Sequence, residues 1–281
     1  MERLTEQAYW NSVNSGTGGP SATRMIQKTS LPHRIGRAIF GENWVLTWRS
    51  FGEFDFWQRI LPRFVRNSPG QTVIEVGSAP GMHLVEFRER FGHDPYGIEY
   101  TPSGVASNRR TFVEHGLDPD HIMEGDFFSD AFQQPHQNEY DVVLSRGFIE
   151  HFTDMEKVIQ SHVHILKPGG LLIVNIPNLN GLNRWMVKRF VPELLPIHNL
   201  TIMNLPVYRK LFEHPDLEQL YCAYQGGLYL TMGAADETRV PPLILMLLRR
   251  SQMILNFLQL GTGPLNTRWT SPNLLYIGRK R

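Results

Sequence analysis

Residues 73–84 read VIEVGSAPGMHL, and this stretch decides the fold. A β-branched apolar run ends in an acid, a short turn of small residues follows, and an amphipathic segment begins at Met82. This order predicts a buried strand, a sharp loop and a helix. Small residues let the backbone approach a ligand closely, and the first turn of a helix offers free N–H groups. A nucleoside-bearing cofactor is therefore the expected occupant of the loop.

Glycine-rich loops of this kind also occur in P-loop proteins and in dinucleotide-binding enzymes. A P-loop is excluded, because no Gly-Lys-Ser/Thr sequence follows the loop. A dinucleotide site needs three glycines, whereas this loop has only Gly77 and Gly81. Ala79-Pro80 stands where the middle glycine would approach a pyrophosphate. A tight turn that binds no ligand is the remaining structural alternative.

The composition is that of a soluble globular protein. The chain has 281 residues, of which 41% are hydrophobic and 20% charged. Its formal net charge of +1 creates no overall field that would attract nucleic acid. Cys222 is the only cysteine, so disulfides within the chain are excluded and a reducing cytoplasm is the expected location. The N-terminal residues lack the apolar core of a signal peptide.

Residues 240–260 form the most apolar stretch late in the chain. The longest uninterrupted run in it, residues 243–248, is too short to span a bilayer and is followed by Arg249-Arg250. We therefore predict an amphipathic helix that acts as a lid or packs on the core. Contact with a membrane surface or with another subunit is the alternative. No transmembrane segment is expected, and the oligomeric state is left open.

From Gln71 onward, short apolar segments alternate with helical ones. This alternation predicts βαβ units and a parallel sheet that helices cover on both faces. The early strands are expected at about 72–76, 96–99, 121–124, 140–145 and 170–176, with helices at about 82–91, 103–115 and 154–166. The later pattern predicts a helix at 216–223, a strand at 227–232 and a last strand near 273–278.

Two parts of the chain are expected, with residues 1–69 preceding an α/β domain at 70–281. Residues 1 to about 30 are polar and predict an arm, and the aromatic residues at 44–66 predict a helical preface that packs on the core. Two insertions, 178–215 and 233–268, are rich in aromatic and aliphatic residues. We expect them to cap the site and to select the substrate.

Candidate ligand-binding residues follow the predicted strands, where open α/β sheets bind their ligands. Glu99 comes 22 residues after Gly77, and a carboxylate there can accept both hydrogen bonds of a ribose diol. Asp126 can accept from the exocyclic amine of adenine, and Phe127 can cover the ring. Exposed acids also cap helices and form turns, so structural roles stay open for both carboxylates.

Together these residues resemble the class I S-adenosylmethionine-dependent methyltransferases. The similarity covers about residues 70–177 well and the last two predicted strands loosely. The matching motifs occur in the order of that family: residues 75–81 are similar to its first motif, Glu99 to its ribose-binding acid, residues 125–127 to its adenine-side loop, residues 141–145 with 149–151 to its fourth-strand motif, and residues 166–170 to its turn before strand five.

The resemblance implies a Rossmann-like sheet of seven strands with an antiparallel last strand, and S-adenosyl-L-methionine as the cofactor. The backbone at Gly77 to Ala79 would hold the methionine part, and residues 145–147 would line the sulfonium side. Because this cofactor has no pyrophosphate, Ala79-Pro80 does not conflict with it. The expected cofactor-binding residues are Glu75, Gly77, Ser78, Ala79, Gly81, Glu99, Tyr100, Gly125, Asp126, Phe127, Ser145, Arg146 and Gly147.

The implied reaction is in-line transfer of a sulfonium-bound methyl group to a nucleophile, with water excluded. A base is useful when the acceptor is a hydroxyl group. His151, after the fourth strand, and His198, in the insertion at 178–215, are the candidate catalytic bases, and each could instead be a structural histidine held by backbone. The histidines lack a ligand spacing such as His-Glu-x-x-His, so no metal is expected.

We predict O-methylation of a small molecule or a glycan intermediate, because an aromatic pocket suits either. One alternative is a scaffold of the same fold that binds the cofactor without turnover. Another is an RNA ribose methyltransferase, which the Gly-Ser-Ala-Pro-Gly loop resembles. The Lys-Asp-Lys-Glu set of those enzymes is incomplete here, and the near-neutral charge argues against a phosphate-rich partner.

Overall fold

A computed structural model describes residues 2–15, 50–230 and 239–281. Within these ranges, seven strands form one sheet in the order β3-β2-β1-β4-β5-β7-β6. The first five strands are parallel, whereas β7 is antiparallel to both β5 and β6. This arrangement confirms the predicted Rossmann-like methyltransferase sheet. The strands are β1 Thr72–Val76, β2 Asp94–Glu99, β3 Ile122–Glu124, β4 Tyr140–Arg146, β5 Leu166–Pro177, β6 Leu217–Gln225 and β7 Asn273–Lys280.

Nine α-helices lie in the described ranges: α1 Gln7–Ser15, α2 Phe51–Phe54, α3 Met82–Phe91, α4 Pro102–Glu114, α5 Asp130–Gln133, α6 Met155–Ile165, α7 Gly181–Phe190, α8 Leu205–Lys210 and α9 Pro242–Thr262. The α2 helix continues as a π-helix, Asp55–Ile60, and a 3₁₀ turn, Leu61–Arg63. Local sequence explains several of the helix starts. Thr101 caps α4 by accepting from the Gly104 N–H, and Asp154 caps α6 by accepting from the Lys157 N–H.

The sheet separates two hydrophobic cores, because successive strand residues point to opposite faces. Ile74, Val143 and Val174 pack on one face with α6 and the insertion that follows β5. Val73 and Leu144 pack on the other face with α3, α4 and the preface. The helices therefore cover both faces, as the continuous apolar strands predicted.

The preface and the first insertion belong to these cores. Phe56 and Trp57 are buried against the sheet, so the preface shares its core with residues that lie beyond the expected boundary at 69. Within the first insertion, the Tyr208 hydroxyl donates to the Val174 carbonyl at 2.9 Å and anchors α8 to β5. Residues 44–49 and most of the expected arm lie outside the described residues.

Three local predictions are wrong. Residues 216–223 were expected to be helical but contribute to β6, which is stabilised by pairing with β7, a strand distant in the sequence. The strand expected at 227–232 is absent from residues 227–230, and residues 231–232 lie outside the described ranges. Residues 7–15, expected to be part of a polar arm, form the helix α1. The helix expected at 240–260 is present as α9.

Candidate active site

The carboxyl ends of β1, β2 and β4 meet at one edge of the sheet. The chain leaves β1 toward β2 on one side and returns to β4 on the other, which makes the β1–β4 boundary the topological switch point. Val76 of β1 pairs with Ser145 of β4 and with Ile98 of β2. The predicted ligand-binding residues therefore lie at the position where open α/β sheets form their crevice.

The loop after β1 has the conformation that its small residues allow. Gly77 and Gly81 have left-handed backbones, with φ values of 71° and 94°. Asn108 of α4 donates to the buried Ser78 hydroxyl at 2.6 Å and holds the loop against α4. A Cβ atom at Gly81 would lie 2.1 Å from the Asn108 Oδ1 atom, so only glycine fits there. Asn108 was not predicted, since a single polar residue within a helix carries no recognisable signal.

Three buried polar atoms around this loop have no hydrogen-bond partner within the described residues. The Glu75 Oε2 atom lies at the end of β1, the Ser145 Oγ atom lies at the end of β4, and the Asn108 Oδ1 atom faces Gly81. The other Glu75 oxygen lies 2.7 Å from the His83 Nδ1 atom. Buried polar groups are normally satisfied, so an orphaned carboxylate oxygen and hydroxyl at a crevice fit a ligand with its own polar groups. The α-ammonium of a methionine moiety is such a group.

Glu99 is buried at the end of β2. Its Oε1 atom accepts from the Thr101 backbone N–H at 2.9 Å and from the Thr101 hydroxyl at 2.7 Å. Burial raises the pKa of Glu99 despite these bonds. The carboxylate is thus held rigidly where the ribose diol was expected. Tyr100 follows it, and its carbonyl accepts from the Gln7 side chain of α1 at 2.6 Å.

Asp126 and Phe127 follow β3, and they differ in how far they are exposed to solvent. The Asp126 carboxylate is half-exposed and lies 2.6 Å from the Arg3 guanidinium, which also covers the Tyr100 ring at 4.8 Å. Gly125 donates its N–H to the Glu99 carbonyl at 3.0 Å. Phe127 is buried and packs in the hydrophobic core, and its expected role of covering an adenine ring stays a prediction.

Arg146 ends β4 and forms a buried ion pair with Glu53 of α2. The Nη2–Oε1 distance is 2.7 Å and the Nη1–Oε2 distance is 3.2 Å. Burial alone would raise the pKa of the Glu53 carboxyl, but the Arg146 guanidinium lowers it to about 2. The Arg146 guanidinium also stacks over the Phe56 ring at 4.5 Å. Gly147 then turns the chain with a φ of 65°.

The two candidate bases are brought together. His151 lies in the 3₁₀ turn Ile149–His151 after β4, and its ring centroid is 4.7 Å from that of His198. Burial, and then the neighbouring His198 ring, lower the pKa of His151 to about 3. Burial also lowers the pKa of His198. Both imidazoles are therefore neutral near pH 7. Trp10 of α1 packs edge-on against His151 at 4.9 Å and covers it.

Glu150 joins these histidines, which the sequence did not predict. One ligand atom from each of Glu150, His151 and His198 lies within 4.8 Å of the others. Burial raises the pKa of Glu150 to about 8. No local spacing in the sequence links the three residues, because His198 comes from an insertion far along the chain.

An open cavity of about 470 Å³ lies farther along the same sheet edge. It is formed where β5 and β6 end and where β7 begins. Its walls are both polar and aromatic, and they include Asn180, Arg184, Thr201, Tyr224, Arg268 and Trp269. The first insertion contributes several of them, as expected for a segment that selects a substrate.

Comparison with known proteins identifies the family. Residues 49–220 match the family described as a methyltransferase domain, which is more than half of the chain. The chain belongs to the class I S-adenosylmethionine-dependent methyltransferases. S-adenosylmethionine is accordingly its cofactor, and the orphaned polar atoms of Glu75 and Ser145 fit its methionine part. The match begins within the preface, in agreement with the hydrophobic core that the preface shares with the sheet.

Two curated relatives show the range of acceptors in this family. This methyltransferase is 25% identical to a ubiquinone biosynthesis O-methyltransferase of Hydrogenovibrio crunogenus over 197 residues, covering 68% of this chain and 78% of the relative. It is 28% identical to phosphoethanolamine N-methyltransferase 2 of Caenorhabditis elegans over 138 residues, covering 49% of this chain. The chain spans only 30% of the length of that second relative.

Solved structures share the fold of this methyltransferase. The geranyl diphosphate C-methyltransferase of Streptomyces coelicolor, solved with Mg²⁺, geranyl diphosphate and S-adenosyl-L-homocysteine, has a TM-score of 0.54 at 13% identity. The comparison covers 82% of this chain and 79% of that one. A Galdieria sulphuraria protein assigned as a sarcosine dimethylglycine methyltransferase has a TM-score of 0.53 at 18% identity, covering 80% and 84% of the two chains.

Proposed function

We propose that this methyltransferase transfers the methyl group of S-adenosylmethionine to a hydroxyl oxygen of a small-molecule acceptor. The observation that carries the proposal is the pair of neutral imidazoles formed by His151, after β4, and His198, in the insertion after β5. His198 is the better proton acceptor of the two, because the pKa of His151 is lowered to about 3. The Nδ1 atoms of His151 and His198 lie 2.8 Å and 2.5 Å from the carbonyls of Ile197 and Leu194. Each Nδ1 therefore donates its proton to backbone, and each Nε2 atom is left as a proton acceptor.

A hydroxyl acceptor needs such a group, whereas an amine or a thiolate can react without one. As the oxygen attacks the methyl carbon in line with the carbon–sulfur bond, its proton must leave to a nearby base. A neutral imidazole can take that proton. The electrophilic methyl is supplied by the cofactor, and the buried surroundings of His151 exclude the water that would compete.

The acceptor class is inferred from the cavity beside the first insertion. Its aromatic residues, Tyr224 and Trp269, offer faces for a ring or a sugar. Asn180, Thr201 and Arg184 offer hydrogen bonds to hydroxyl or acidic groups. Relatives named for O-methylation in ubiquinone biosynthesis support a small molecule, and a glycan intermediate fits the same walls. The net charge of +1 supports neither an RNA nor a DNA substrate. We place the reaction in the cytoplasm.

Calorimetry followed by an acceptor screen tests this function. The full chain should bind S-adenosylmethionine and S-adenosylhomocysteine, and a labelled methyl group should move to phenolic, catecholic or sugar hydroxyls. Phosphoethanolamine serves as the amine comparison. Transfer to the amine alone would contradict O-methylation. Binding without transfer to any acceptor would favour a non-catalytic scaffold.

A further inference from the structure

Glu150, His151 and His198 form a buried cluster that two segments hold together. Glu150 and His151 follow β4, and His198 belongs to the insertion after β5. The neighbouring Asn199 fastens the two segments. Its backbone N–H donates to the Glu150 carbonyl at 2.6 Å, and its side chain donates to the Phe152 carbonyl at 3.1 Å. The cluster is therefore a fixed feature of the fold.

The two imidazoles are oriented as metal ligands usually are. A metal-binding histidine commonly donates one ring N–H to a backbone carbonyl, which fixes the ring and presents the other nitrogen to the metal. His151 meets this pattern through the Ile197 carbonyl and His198 through the Leu194 carbonyl. Both Nε2 lone pairs are thus available at the cluster.

Glu150 supplies the second and independent observation. Its side chain is 1% exposed, and its Oε2 atom has no hydrogen-bond partner within the described residues. Its Oε1 atom lies 3.9 Å from the His151 Nε2 atom, which is too far for a hydrogen bond. A buried carboxyl group whose oxygens lack partners is unfavourable, and a bound cation that displaces its proton is one remedy.

We propose that Glu150, His151 and His198 bind one zinc ion. Two imidazoles and one carboxylate are the ligand set of catalytic zinc sites that keep a fourth position open. Nitrogen ligands also disfavour Mg²⁺ and Ca²⁺, which prefer oxygen. Zinc binding does not depend on the proposed function. If that function holds, the open position would hold the acceptor hydroxyl and the metal would lower its pKa. The two histidines would then act as ligands rather than as bases, and the hydroxyl proton would leave to solvent.

Zinc titration of the metal-free protein tests the site directly. The full chain is treated with a chelator, dialysed and titrated with Zn²⁺ by calorimetry, and Co²⁺ is used to report tetrahedral coordination by its visible spectrum. One ion per chain is expected. Glu150→Gln and His198→Ala should each weaken binding at least about a hundredfold, since loss even of an outer partner of a zinc ligand costs 10–100-fold. His115→Ala, which removes an exposed histidine of the α4 terminus, is the matched control.

Each outcome decides the question. Equal zinc affinity in the parent chain and in His198→Ala, with both folded by circular dichroism, would overturn the site. His198 is only partly buried and sits in a surface insertion, so this variant remains informative where Glu150→Gln unfolds. Full methyl transfer by the chelated chain would refute a catalytic zinc while leaving O-methylation intact. Zinc binding without any transfer would refute the function while leaving the site intact.

A second inference concerns α9. A surface helix of a soluble domain normally turns its apolar face inward and its polar face outward, whereas much of α9 does the reverse. The inward face of its second half carries Gln252, Asn256 and Gln259, all buried, whereas Leu245 of its first half packs in a small apolar cluster with Met186 and Phe190. The Oε1 atom of Gln259 accepts from the Leu228 N–H at 2.8 Å, and that of Gln252 accepts from the Leu230 N–H at 2.5 Å. Amide side chains therefore dock the helix through hydrogen bonds to an extended segment.

The outward face of α9 is apolar. Leu243, Leu247, Ile254 and Leu258 recur at helical spacing, and each is more than half exposed. Arg250 lies on the same stripe, and α9 contains no acidic residue. By length and composition alone α9 could cross a membrane. Arg249 and Arg250 in its middle, and its attachment to the domain through its polar face, favour a position parallel to a surface.

We infer that this apolar face of α9 binds an anionic lipid surface. A second copy of the chain docked about a two-fold axis would bring stripes with arginines and no acids against each other. A lipid surface instead buries the leucines among acyl chains while Arg250, on the same stripe, reaches phosphate groups. The helix would lie in the interface with the catalytic domain above it.

Vesicle cosedimentation tests this surface. The full chain should bind phosphatidylglycerol vesicles more strongly than phosphatidylcholine vesicles, and salt should weaken the binding. Leu247→Glu combined with Leu258→Glu should reduce the bound fraction at least fivefold. Val113→Glu, at an equally exposed apolar site on α4, should leave it unchanged. Loss in the Val113 variant, or no binding by the parent chain, would overturn the inference. A dimer in light scattering that Leu247→Glu dissociates would assign the face to a second copy.

Discussion

Arg146 at the end of β4 and Glu53 of α2 form a two-point ion pair, with N–O distances of 2.7 Å and 3.2 Å. The arginine is buried at the edge of the crevice, and the glutamate reaches it from a part of the chain that precedes the sheet. Glu53 also accepts from the Trp57 indole at 3.0 Å. The preface thus fixes the position of a residue expected to line the sulfonium side of the cofactor.

Replacing Glu53 should destabilise the protein in a pH-dependent manner. In Glu53→Gln, Arg146 keeps its largely buried charge but loses its charged partner, whose side chain is 27% exposed, and the free energy of unfolding at pH 7 should fall by about 1–3 kcal/mol. The pKa of Glu53 is lowered to about 2, so the pair stabilises the fold fully above the ordinary value near 4.5. That contribution is lost as the pH falls from there toward 2. The difference in unfolding free energy between the parent chain and Glu53→Gln should therefore decrease as the pH falls through this range.

Urea unfolding at pH 7 and at pH 3 measures this difference in unfolding free energy. Glu86→Gln is the matched control, since Glu86 pairs with Arg90 one helical turn away on α3. Its expected effect is below about 1 kcal/mol. A difference for Glu53→Gln that stays constant with pH would show that the ion pair is not its source.

Glu99→Ala should weaken cofactor affinity by about 1–3 kcal/mol, because the ribose diol loses a charged hydrogen-bond acceptor. Calorimetry with S-adenosylhomocysteine measures this loss. Glu124→Ala, at the neighbouring strand end and paired in register with Glu99, provides the control. Equal affinities for the parent chain and Glu99→Ala would move the ribose to another position.

Gly81→Ala should impair both the loop and cofactor binding. The added Cβ atom would lie 2.1 Å from the Asn108 Oδ1 atom, in a backbone with φ of 94°. Gly70→Ala has a similar φ of 88° but meets nothing within 4 Å, so it isolates the backbone strain. The difference in unfolding free energy between the variants should exceed about 1 kcal/mol. Indistinguishable melting curves would mean that the loop moves freely away from α4.

His198→Ala should slow methyl transfer without changing cofactor affinity, because the role proposed for this imidazole is to take the proton of the acceptor. A decrease in kcat of about 100-fold or more is expected for the loss of a positioned base or metal ligand. Single-turnover kinetics at saturating cofactor would measure it. An unchanged rate, with transfer intact, would leave His198 as a structural histidine held by Leu194.

The parts of the fold that depend on residues close together in the sequence could be predicted from the sequence. The parallel strands β1, β4 and β5 have apolar central residues because both faces of the sheet are covered, and the loop at Gly77–Gly81 consists of small residues. The strand β6 was missed because its only neighbour among the described strands, β7, lies far along the chain. A segment such as residues 217–225 has no strong period of its own, so pairing decides its conformation.

In the candidate site, too, some residues could be predicted from the sequence and others could not. Glu99 and Asp126 follow strands and could be placed from their position in the sequence. The ion pair between Glu53 and Arg146, 93 residues apart, could not. The burial of Phe127 could not be predicted either, because it depends on contacts with Phe132 on α5 and His162 on α6. Glu150 meets His198 only because the insertion after β5 folds back over the β4 turn.

The position of β7 between β5 and β6 has a consequence for biosynthesis. β6 leaves the ribosome before β7 has been translated, and in the described sheet β7 is the neighbour that β6 pairs with. Between the synthesis of Gln225 and that of Lys280, the nascent chain thus carries two unpaired β edges, one on β5 and one on β6. A chaperone that assists this protein would therefore act in that interval, which ends when β7 pairs with β5 and β6.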